Sequence, residues 1–171
     1  VSYKVDGVEY CREVFSSLTD DVVVMNISAS EKGRISFEAS LTSPLRHETV
    51  SEDGILVMRG ISGDQEGLEG KVEFTTMVKV CGKGGEVTCT DGKINVREAD
   101  EVTLYVSTGT NFVNYADLSA DPDAEAAELL AKASSGKYAR QKKAHTAAYK
   151  AYFDRVSLDL GTTEAAKLTT D

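Results

Sequence analysis

The chain opens with a hairpin signal, Tyr3-Lys4-Val5-Asp6-Gly7-Val8-Glu9-Tyr10. Its central Asp-Gly dipeptide lies between alternating segments and supplies the positive φ angles that a two-residue type I′ turn requires. Closing this turn pairs Lys4 with Glu9 and Tyr3 with Tyr10, so the charge match and the aromatic match support one register. The stretch therefore predicts an antiparallel hairpin at the start of the chain.

Further alternating or β-branched runs follow, separated by turn residues. Residues 21–28 and 34–41 flank the turn-like segment 30–33 and are predicted to form a second hairpin. The remaining predicted strands are residues 55–59, 71–80, 86–90, 94–96 and 101–108. About nine strands thus precede residue 110 with no helix between them, and parallel strands would need long crossover connections. The predicted fold is mostly β, an antiparallel β-sandwich.

The hydrophobic period changes after residue 120. Asp121-Pro122-Asp123 offers an N-cap, a proline for the first turn and early negative charge, which predicts a short helix over residues 124–134. A second helix is predicted over residues 138–154, because aromatic residues recur there on one side. These residues are Tyr138, His145, Tyr149, Tyr152 and Phe153, followed by Val156. We expect another part of the protein to cover this stripe, since each large apolar side chain gains roughly 1.5–3 kcal/mol on leaving water.

The remaining surface of this second helix is predicted to face solvent. It carries Arg140, Gln141, Lys143 and Lys150. The basic cluster of Lys137, Arg140, Lys142 and Lys143 is interpreted as a solvated helix face, with contact to an anionic polymer as the lesser alternative.

The charge balance limits the classes of partner. A formal net charge of −9 repels phosphate backbones, so we expect no nucleic-acid partner and no anionic membrane partner. No stretch approaches the roughly 20 consecutive apolar residues of a membrane helix. Partners should be neutral or cationic.

The cysteines and histidines give no metal or cofactor signal. Cys11, Cys81 and Cys89 are odd in number and lack CxxC spacing, so we interpret them as small thiols, with a Cys81–Cys89 bridge left open. His47 is placed in a loop, where contact with a sugar is the functional reading and solvated polarity the structural one. His145 is interpreted as a packed residue of the aromatic stripe. We predict no metal and no cofactor.

No catalytic constellation is evident in the sequence. Asp20 with Asp21, and Glu98 with Asp100 and Glu101, are interpreted as turn and strand-end charges. The sequence contains no Gly-x-Ser-x-Gly elbow, and its glycine-rich segment at residues 82–85 is typical of a hairpin loop. We therefore name no catalytic residue.

Two separated motifs carry a family resemblance. Residues 3–15 resemble the "Y-x-v-d-G-v-x-y-x-R-E-v-F" hairpin in the N-terminal β domain of glycoside hydrolase family 95, which contains inverting α-L-fucosidases and related enzymes. Residues 145–161 resemble the "H-x-x-x-Y-x-x-x-F-x-R-V-x-L-x-L-G" linker helix of that family, and residues 40–45 between them are also similar. The motifs occur in the expected order.

The resemblance implies a β-sandwich of the super-sandwich type, followed by a helical linker and a catalytic α/α barrel. It implies three segments here. Residues 1–118 form a β domain that lacks its first strands, and residues 119–161 form the linker, which returns to a short strand at 156–160. Residues 162–171 form a tail or the start of the next linker. No "G-N-G-r-l-G-a-m" segment of the family is present. We therefore expect the chain to be a piece of a longer protein. The resemblance is also compatible with export of the parent to the periplasm or the extracellular space.

The resemblance gives the aromatic stripe a role in interdomain packing, through Tyr138, His145, Tyr149, Tyr152 and Phe153 against the barrel. The family's catalytic carboxylates lie in the barrel, so this segment would support catalysis and contribute no catalytic residue. A competing hypothesis is a stand-alone carbohydrate-binding module that holds glycans through His47, Tyr105, Phe112 or Tyr115. An enzyme in its own right is a third hypothesis, with the weakest support.

Overall fold

A computed structural model describes residues 1–159 and 161–168. Within these residues the strands and helices, in chain order, are β1 (Ser2–Val5), β2 (Val8–Ser16), β3 (Val23–Ala29), β4 (Ile35–Ala39), β5 (His47–Glu52), β6 (Ile55–Ile61), β7 (Glu73–Lys83), β8 (Glu86–Thr90), β9 (Lys93–Ala99), β10 (Glu101–Thr110), α1 (Pro122–Ser134) and α2 (Tyr138–Phe153).

The strands form two antiparallel sheets. A seven-stranded sheet has the order β1-β2-β3-β10-β7-β6-β5, and a three-stranded sheet has the order β4-β9-β8. Both helices follow the last strand. The predicted fold class, an antiparallel β-sandwich with a C-terminal pair of helices, is confirmed.

The N-terminal hairpin forms in the predicted register. Lys4 lies opposite Glu9 and Tyr3 opposite Tyr10, and the two tyrosine rings stack with centroids 5.3 Å apart. Asp6 and Gly7 have φ values of 49° and 85°, as the turn requires. The same Asp-Gly signal at Asp53-Gly54 closes the hairpin of β5 and β6. It is the local signal for β5, a strand that was not among those predicted.

The second predicted hairpin is wrong, although both of its strands exist. β3 pairs with β2 and β10 in the large sheet, whereas β4 pairs with β9 in the small sheet. Because both edges of β3 are occupied, the turn between them carries the chain from one sheet to the other. Gly33, at φ 69°, makes this corner by donating its N–H to the Asp100 carboxylate at 2.8 Å.

The large sheet buries apolar side chains on both faces. Side chains alternate between the two faces along each strand. Those on one face, including Ile27, Leu56 and Val102, pack against the small sheet. Those on the other face, including Val24 and Tyr105, pack against the helices. The molecule therefore has three layers: the small sheet, the large sheet and the helix layer. We refer to the small-sheet side of the large sheet as its inner face and to the helix side as its outer face.

Helix α1 lies close to the outer face because its contact residues are small. Ala126 and Ala133 are fully buried beneath it, and a Cβ at Gly109 of β10 would overlap the carbonyl oxygen of Pro122. The Ser107 hydroxyl donates to the Ala126 carbonyl at 2.7 Å. The predicted cap is confirmed, since Asp121 accepts hydrogen bonds from the N–H groups of Asp123 and Ala124.

An ion-pair network fixes the first turn of α1 to the sheet. The Asp123 carboxylate accepts hydrogen bonds from the Thr75 hydroxyl at 2.5 Å and from Arg59 Nε at 2.8 Å. The same guanidinium donates twice to Glu52, at 2.7 and 3.0 Å. Burial alone would raise the pKa of Asp123, but the hydrogen bonds from Thr75 and Arg59 outweigh it and hold that pKa below its usual range.

The end of the chain departs from its prediction. Residues 156–159 form no strand, and Val156 and Leu158 are exposed, while Leu160 lies outside the described residues. Residues 164–167 of the predicted tail form a short 3-10 turn, and residues 169–171 are outside the described range. The three cysteines are free thiols. Strand alternation places Cys81 on the outer face of the large sheet, whereas Cys89 packs against the core between the sheets.

We predict that Asp123→Asn lowers the free energy of unfolding by about 1 kcal/mol at pH 7, because the pair is partly exposed to solvent. The carboxylate's contribution is present above its unfolded pKa of about 4 and is lost as the pH falls through the lower folded pKa. Urea unfolding should therefore separate wild type and variant at pH 7, and the difference should shrink as the pH falls below about 4 and vanish below the folded pKa.

Glu128→Gln is the matched control, because it makes the same charge change at an exposed position of α1. An equal loss of stability in both variants would contradict the role given to Asp123.

Candidate functional site

Helix α2 is held on the outer face by a buried glutamine. Gln141 accepts a hydrogen bond from the Tyr105 hydroxyl at 3.0 Å and donates one to the Ala133 carbonyl of α1 at 2.7 Å. The sequence reading placed Gln141 on the solvent side of the helix, and the structure corrects this, since the side chain is buried. A polar residue can occupy this position because both ends of its amide have partners.

A second anchor joins α2 to strand β2. The Glu13 carboxylate accepts hydrogen bonds from the Tyr138 hydroxyl at 2.7 Å and from the Lys142 ammonium group. These two bonds, led by that from Lys142, lower the pKa of Glu13. Burial, followed by the bond to Glu13, raises the pKa of Tyr138. Lys142 is thus an ion-pair partner, not simply part of a solvated basic face.

Four aromatic rings form a ladder that starts on β2 and continues along α2. Phe15 stacks on His145 with centroids 4.7 Å apart, His145 tilts against Tyr149 at 6.1 Å, and Tyr149 stacks on Phe153 at 5.5 Å. Tyr138 also contacts Phe15, at 6.2 Å. The backbone N–H of Leu18 donates to Nδ1 of His145 at 3.3 Å. His145 is therefore a packed residue, as its spacing in the sequence indicated.

The outer half of this ladder has no cover within residues 1–159 and 161–168. Tyr149, Tyr152 and Phe153 are 49%, 70% and 63% exposed. Tyr152 lies seven residues after His145 and so projects from the same side of the helix. The apolar side of α2 thus continues past the contacts that hold its first half to β2. We call residues 149–153 the overhang.

The four residues proposed to contact glycans do not form one site. Tyr105 is only 2% exposed and its hydroxyl is bonded to Gln141, so its ring is not accessible to a glycan. Phe112 and Tyr115 are exposed on the loop after β10. Asn111 fixes the start of that loop by hydrogen bonds to Glu73 and Lys71. His47 starts strand β5, not a loop, and its Nδ1 lies 2.7 Å from the Leu45 carbonyl.

His47 borders an open cleft of about 660 Å³ beside the first turn of α1. The Arg59 guanidinium in this cleft is bonded to Glu52 and Asp123, and Asp121 caps the helix. Hydrogen bonds from Arg59 lower the pKa of Glu52, against a smaller effect of burial. Three charged groups of the cleft, Arg59, Asp121 and Asp123, are therefore engaged in holding α1 in place.

Three of the five carboxylates considered for acid–base chemistry accept hydrogen bonds from other groups of the chain. Asp20 accepts from the Ser17 hydroxyl at 2.7 Å, Asp100 from the Gly33 N–H, and Glu101 from Asn26. Among the residues that the structure describes, no group of three or more His, Cys, Asp or Glu side chains is placed to hold a metal ion. Neither described helix has the length and apolar character needed to cross a membrane.

The sequence reading missed the residues on β2 that receive α2. Glu13 and Phe15 project from the same side of β2, because side chains alternate along a strand. The alternation of side chains along β2 was the sequence signal for these residues, because it places Glu13 and Phe15 on one face. In the structure this face meets Tyr138, Lys142 and His145 of α2.

Comparison with known proteins finds one matching family and one similar plant protein. Residues 1–115 match the family model described as "Glycosyl hydrolase family 65, N-terminal domain". The chain is also 29% identical over 188 aligned positions to Alpha-L-fucosidase 2 of Arabidopsis thaliana. That alignment covers 94% of this chain and 22% of the plant protein, so the chain spans about a fifth of its relative's length.

We predict that Tyr138→Ala destabilises the protein by about 2 kcal/mol, because it removes a half-buried ring and the partner of Glu13. Tyr152→Ala, the same change on the same helix, should alter the free energy of unfolding by less than about 0.5 kcal/mol, because that ring has no cover. Urea unfolding followed by circular dichroism measures both. Equal effects would contradict the division of α2 into a docked half and an overhang.

Proposed function

The chain belongs to the family of glycosyl hydrolase family 65 N-terminal domains, and from this we propose that it is the non-catalytic N-terminal domain of a glycoside hydrolase of the family 95 type. In this proposal the three-layer domain supports a catalytic α/α barrel in the same polypeptide and helps to shape the barrel's substrate cleft. The motifs at residues 3–15 and 145–161 support the family 95 assignment, as does the similarity to the plant fucosidase.

The overhang is the observation that carries this proposal. Tyr149, Tyr152 and Phe153 remain exposed on the second half of α2. Gln141 and Glu13 fix the first half of this helix. Covering them would stabilise a docked neighbour by roughly 1.5–3 kcal/mol for each ring, before the cost of ordering is subtracted. A helix so fixed at one end presents its free aromatic face in a defined orientation, which suits a permanent contact between domains.

The proposed activity belongs to the parent enzyme. We propose that it removes terminal α-L-fucose with inversion, in which one carboxylic acid protonates the leaving oxygen and a second carboxylate activates water. Terminal α-L-galactose is the lesser alternative substrate. In this proposal both carboxylates lie in the barrel.

A second candidate function is glycan binding by the chain itself. The exposed rings of Phe112 and Tyr115 favour it, because they stand on a loop that hydrogen bonds of Asn111 hold at its start. Exposed aromatic rings on a fixed loop suit the apolar faces of sugars. The scaffold function is preferred because the overhang and both family motifs support it, whereas only these two rings favour glycan binding.

The scaffold function is tested with the double variant Tyr149→Ser and Phe153→Ser. In the intact enzyme it should lower the unfolding temperature by a few degrees, because the docked rings are lost. In the 171-residue chain the two rings are already exposed, so calorimetry should find little change. The double variant Ala147→Ser and Ala151→Ser is the matched control, since both alanines are exposed on the same helix. An unchanged intact enzyme would contradict the proposal.

The two candidate functions also differ in what the isolated chain does. We expect no calorimetric binding of fucosylated glycans and no release of nitrophenol from an aryl α-L-fucoside by residues 1–171. Binding that disappears in Tyr115→Ala would establish the glycan-binding function instead. Release of nitrophenol would show that the chain is an enzyme.

A further inference from the structure

The connection between β6 and β7 is an ordered projection, residues 62–72, which we call the finger. Two hydrogen bonds close its base, since the Ser62 N–H donates to the Val72 carbonyl at 2.8 Å and the Val72 N–H donates to the Ser62 hydroxyl at 3.1 Å. At its tip, Gln65 and Leu68 donate backbone N–H groups to each other's carbonyls at 3.0 and 2.9 Å. These bonds enclose a two-residue turn, so the tip has a defined shape.

The tip of the finger carries an apolar side chain between two acidic ones. Leu68 is 75% exposed, and Glu66 and Glu69 are exposed beside it. Neither carboxylate forms an ion pair with a described residue. Because hydrogen bonds already hold the turn, these side chains would lose less conformational freedom on binding than those of a flexible loop.

Helix α2 offers a surface of the opposite charge. An open hollow of about 620 Å³ lies along this helix, and we call it the socket. Its lining combines an aromatic ring, two methyl groups and the aliphatic stems of three lysines. The residues concerned are Tyr138, Ala139, Lys142, Lys143, Ala147 and Lys150.

The lysines of the socket make it a positive patch on an acidic protein. Helix α2 contains four basic residues and no acidic one, whereas the net charge of the chain is −9. Lys142 pairs with Glu13, but Lys143 and Lys150 have no carboxylate partner among residues 1–159 and 161–168. Salt screens charges beyond about 10 Å, so a ligand at the socket responds mainly to these nearby lysines.

The finger and the socket are complementary but do not meet within one molecule. The helix of the socket is anchored to β2, whereas the finger continues β6. Strands β3, β10 and β7 lie between β2 and β6, which puts four interstrand spacings, about 19 Å in all, between these two strands. No residue of the finger lines the socket. A contact between the two surfaces therefore needs a second molecule.

We propose that the finger of one copy of this chain binds in the socket of another copy. Leu68 enters the apolar hollow, while Glu66 and Glu69 pair with Lys143 and Lys150. An apolar tip flanked by acids matches an apolar hollow rimmed by lysines in both polarity and charge. Both complementary surfaces occur in this chain, which favours a second copy over a different acidic partner.

The proposed contact is head-to-tail, because each molecule contributes its finger on one side and its socket on the other. Repeating such a contact closes a ring or builds a row of molecules. It goes beyond the proposed function and does not depend on it. The three aromatic rings of the overhang do not line the socket, so they stay available for the barrel contact proposed above.

Sedimentation velocity of the 171-residue chain tests the contact. The wild type should associate as its concentration rises, and high salt should weaken this association. Two charge-reversed variants, Lys143→Glu with Lys150→Glu and Glu66→Lys with Glu69→Lys, each place like charges together. Each should raise the dissociation constant by about tenfold or more. All four positions are exposed, and circular dichroism checks that the variants are folded.

Mixing the two charge-reversed variants should restore association to about the wild-type strength. In the mixture each acidic finger meets a basic socket, and each basic finger meets an acidic socket. The matched control is Lys32→Glu with Lys83→Glu, which makes the same charge change as the socket variant at exposed positions outside the socket. This control should associate like the wild type.

A wild type that stays monomeric would overturn the proposal. Association that survives both charge reversals would also overturn it, and loss of that association in Tyr149→Ser with Phe153→Ser would assign it to the overhang. Failure of the mixed variants to associate would show that the finger and the socket are not partners. The unfolding temperature of the intact enzyme, which tests the scaffold function, is unaffected by any of these results.

Discussion

The seven-stranded sheet has apolar side chains on both faces, and the rest of the structure follows from the need to cover both. Side chains of β3, β6, β7 and β10 alternate between the two hydrophobic clusters, so neither face can be left in water without loss of stability. The small sheet covers the inner face and the helices cover the outer face. Where the cover stops, at the groove beside β4 and at the overhang of α2, apolar residues remain exposed.

Polar anchors set the position of the helix layer. Burial of small apolar residues brings α1 close to the sheet, but it does not select one orientation, because apolar contacts have little directionality. Asp123 with Arg59, Tyr105 with Gln141, and Glu13 with Tyr138 supply directional bonds from the sheet to the two helices. They orient α2 so that its aromatic residues leave the sheet in one direction. In the cleft beside α1, Arg59 and Asp123 are engaged in these bonds.

Local signals predicted the parts of the fold that depend on neighbouring residues. The Asp-Gly turn, the register of the first hairpin, the cap at Asp121 and the two helices were all predicted, because each depends on contacts within about a dozen residues. The pairing of β4 was wrong because sheet choice depends on β9, some sixty residues later. Gln141 was assigned to the wrong side of α2 for a related reason. Helical spacing does not reveal that its amide bonds to the Tyr105 hydroxyl and the Ala133 carbonyl, which are distant in sequence or on another helix.

From sequence alone, the chain could be recognised as a mostly β domain ending in an aromatic helix, and its motifs pointed to a glycoside hydrolase without naming a catalytic residue. Turns and helices depend on residues that are close together in the sequence, so turn residues and the hydrophobic period predict them directly. Folding in three dimensions settled which strands share a sheet, buried Tyr105, and divided the aromatic stripe into a docked half and an exposed half. These outcomes depend on where the sheet ends beneath the helix, which follows from long-range pairing that no local pattern encodes.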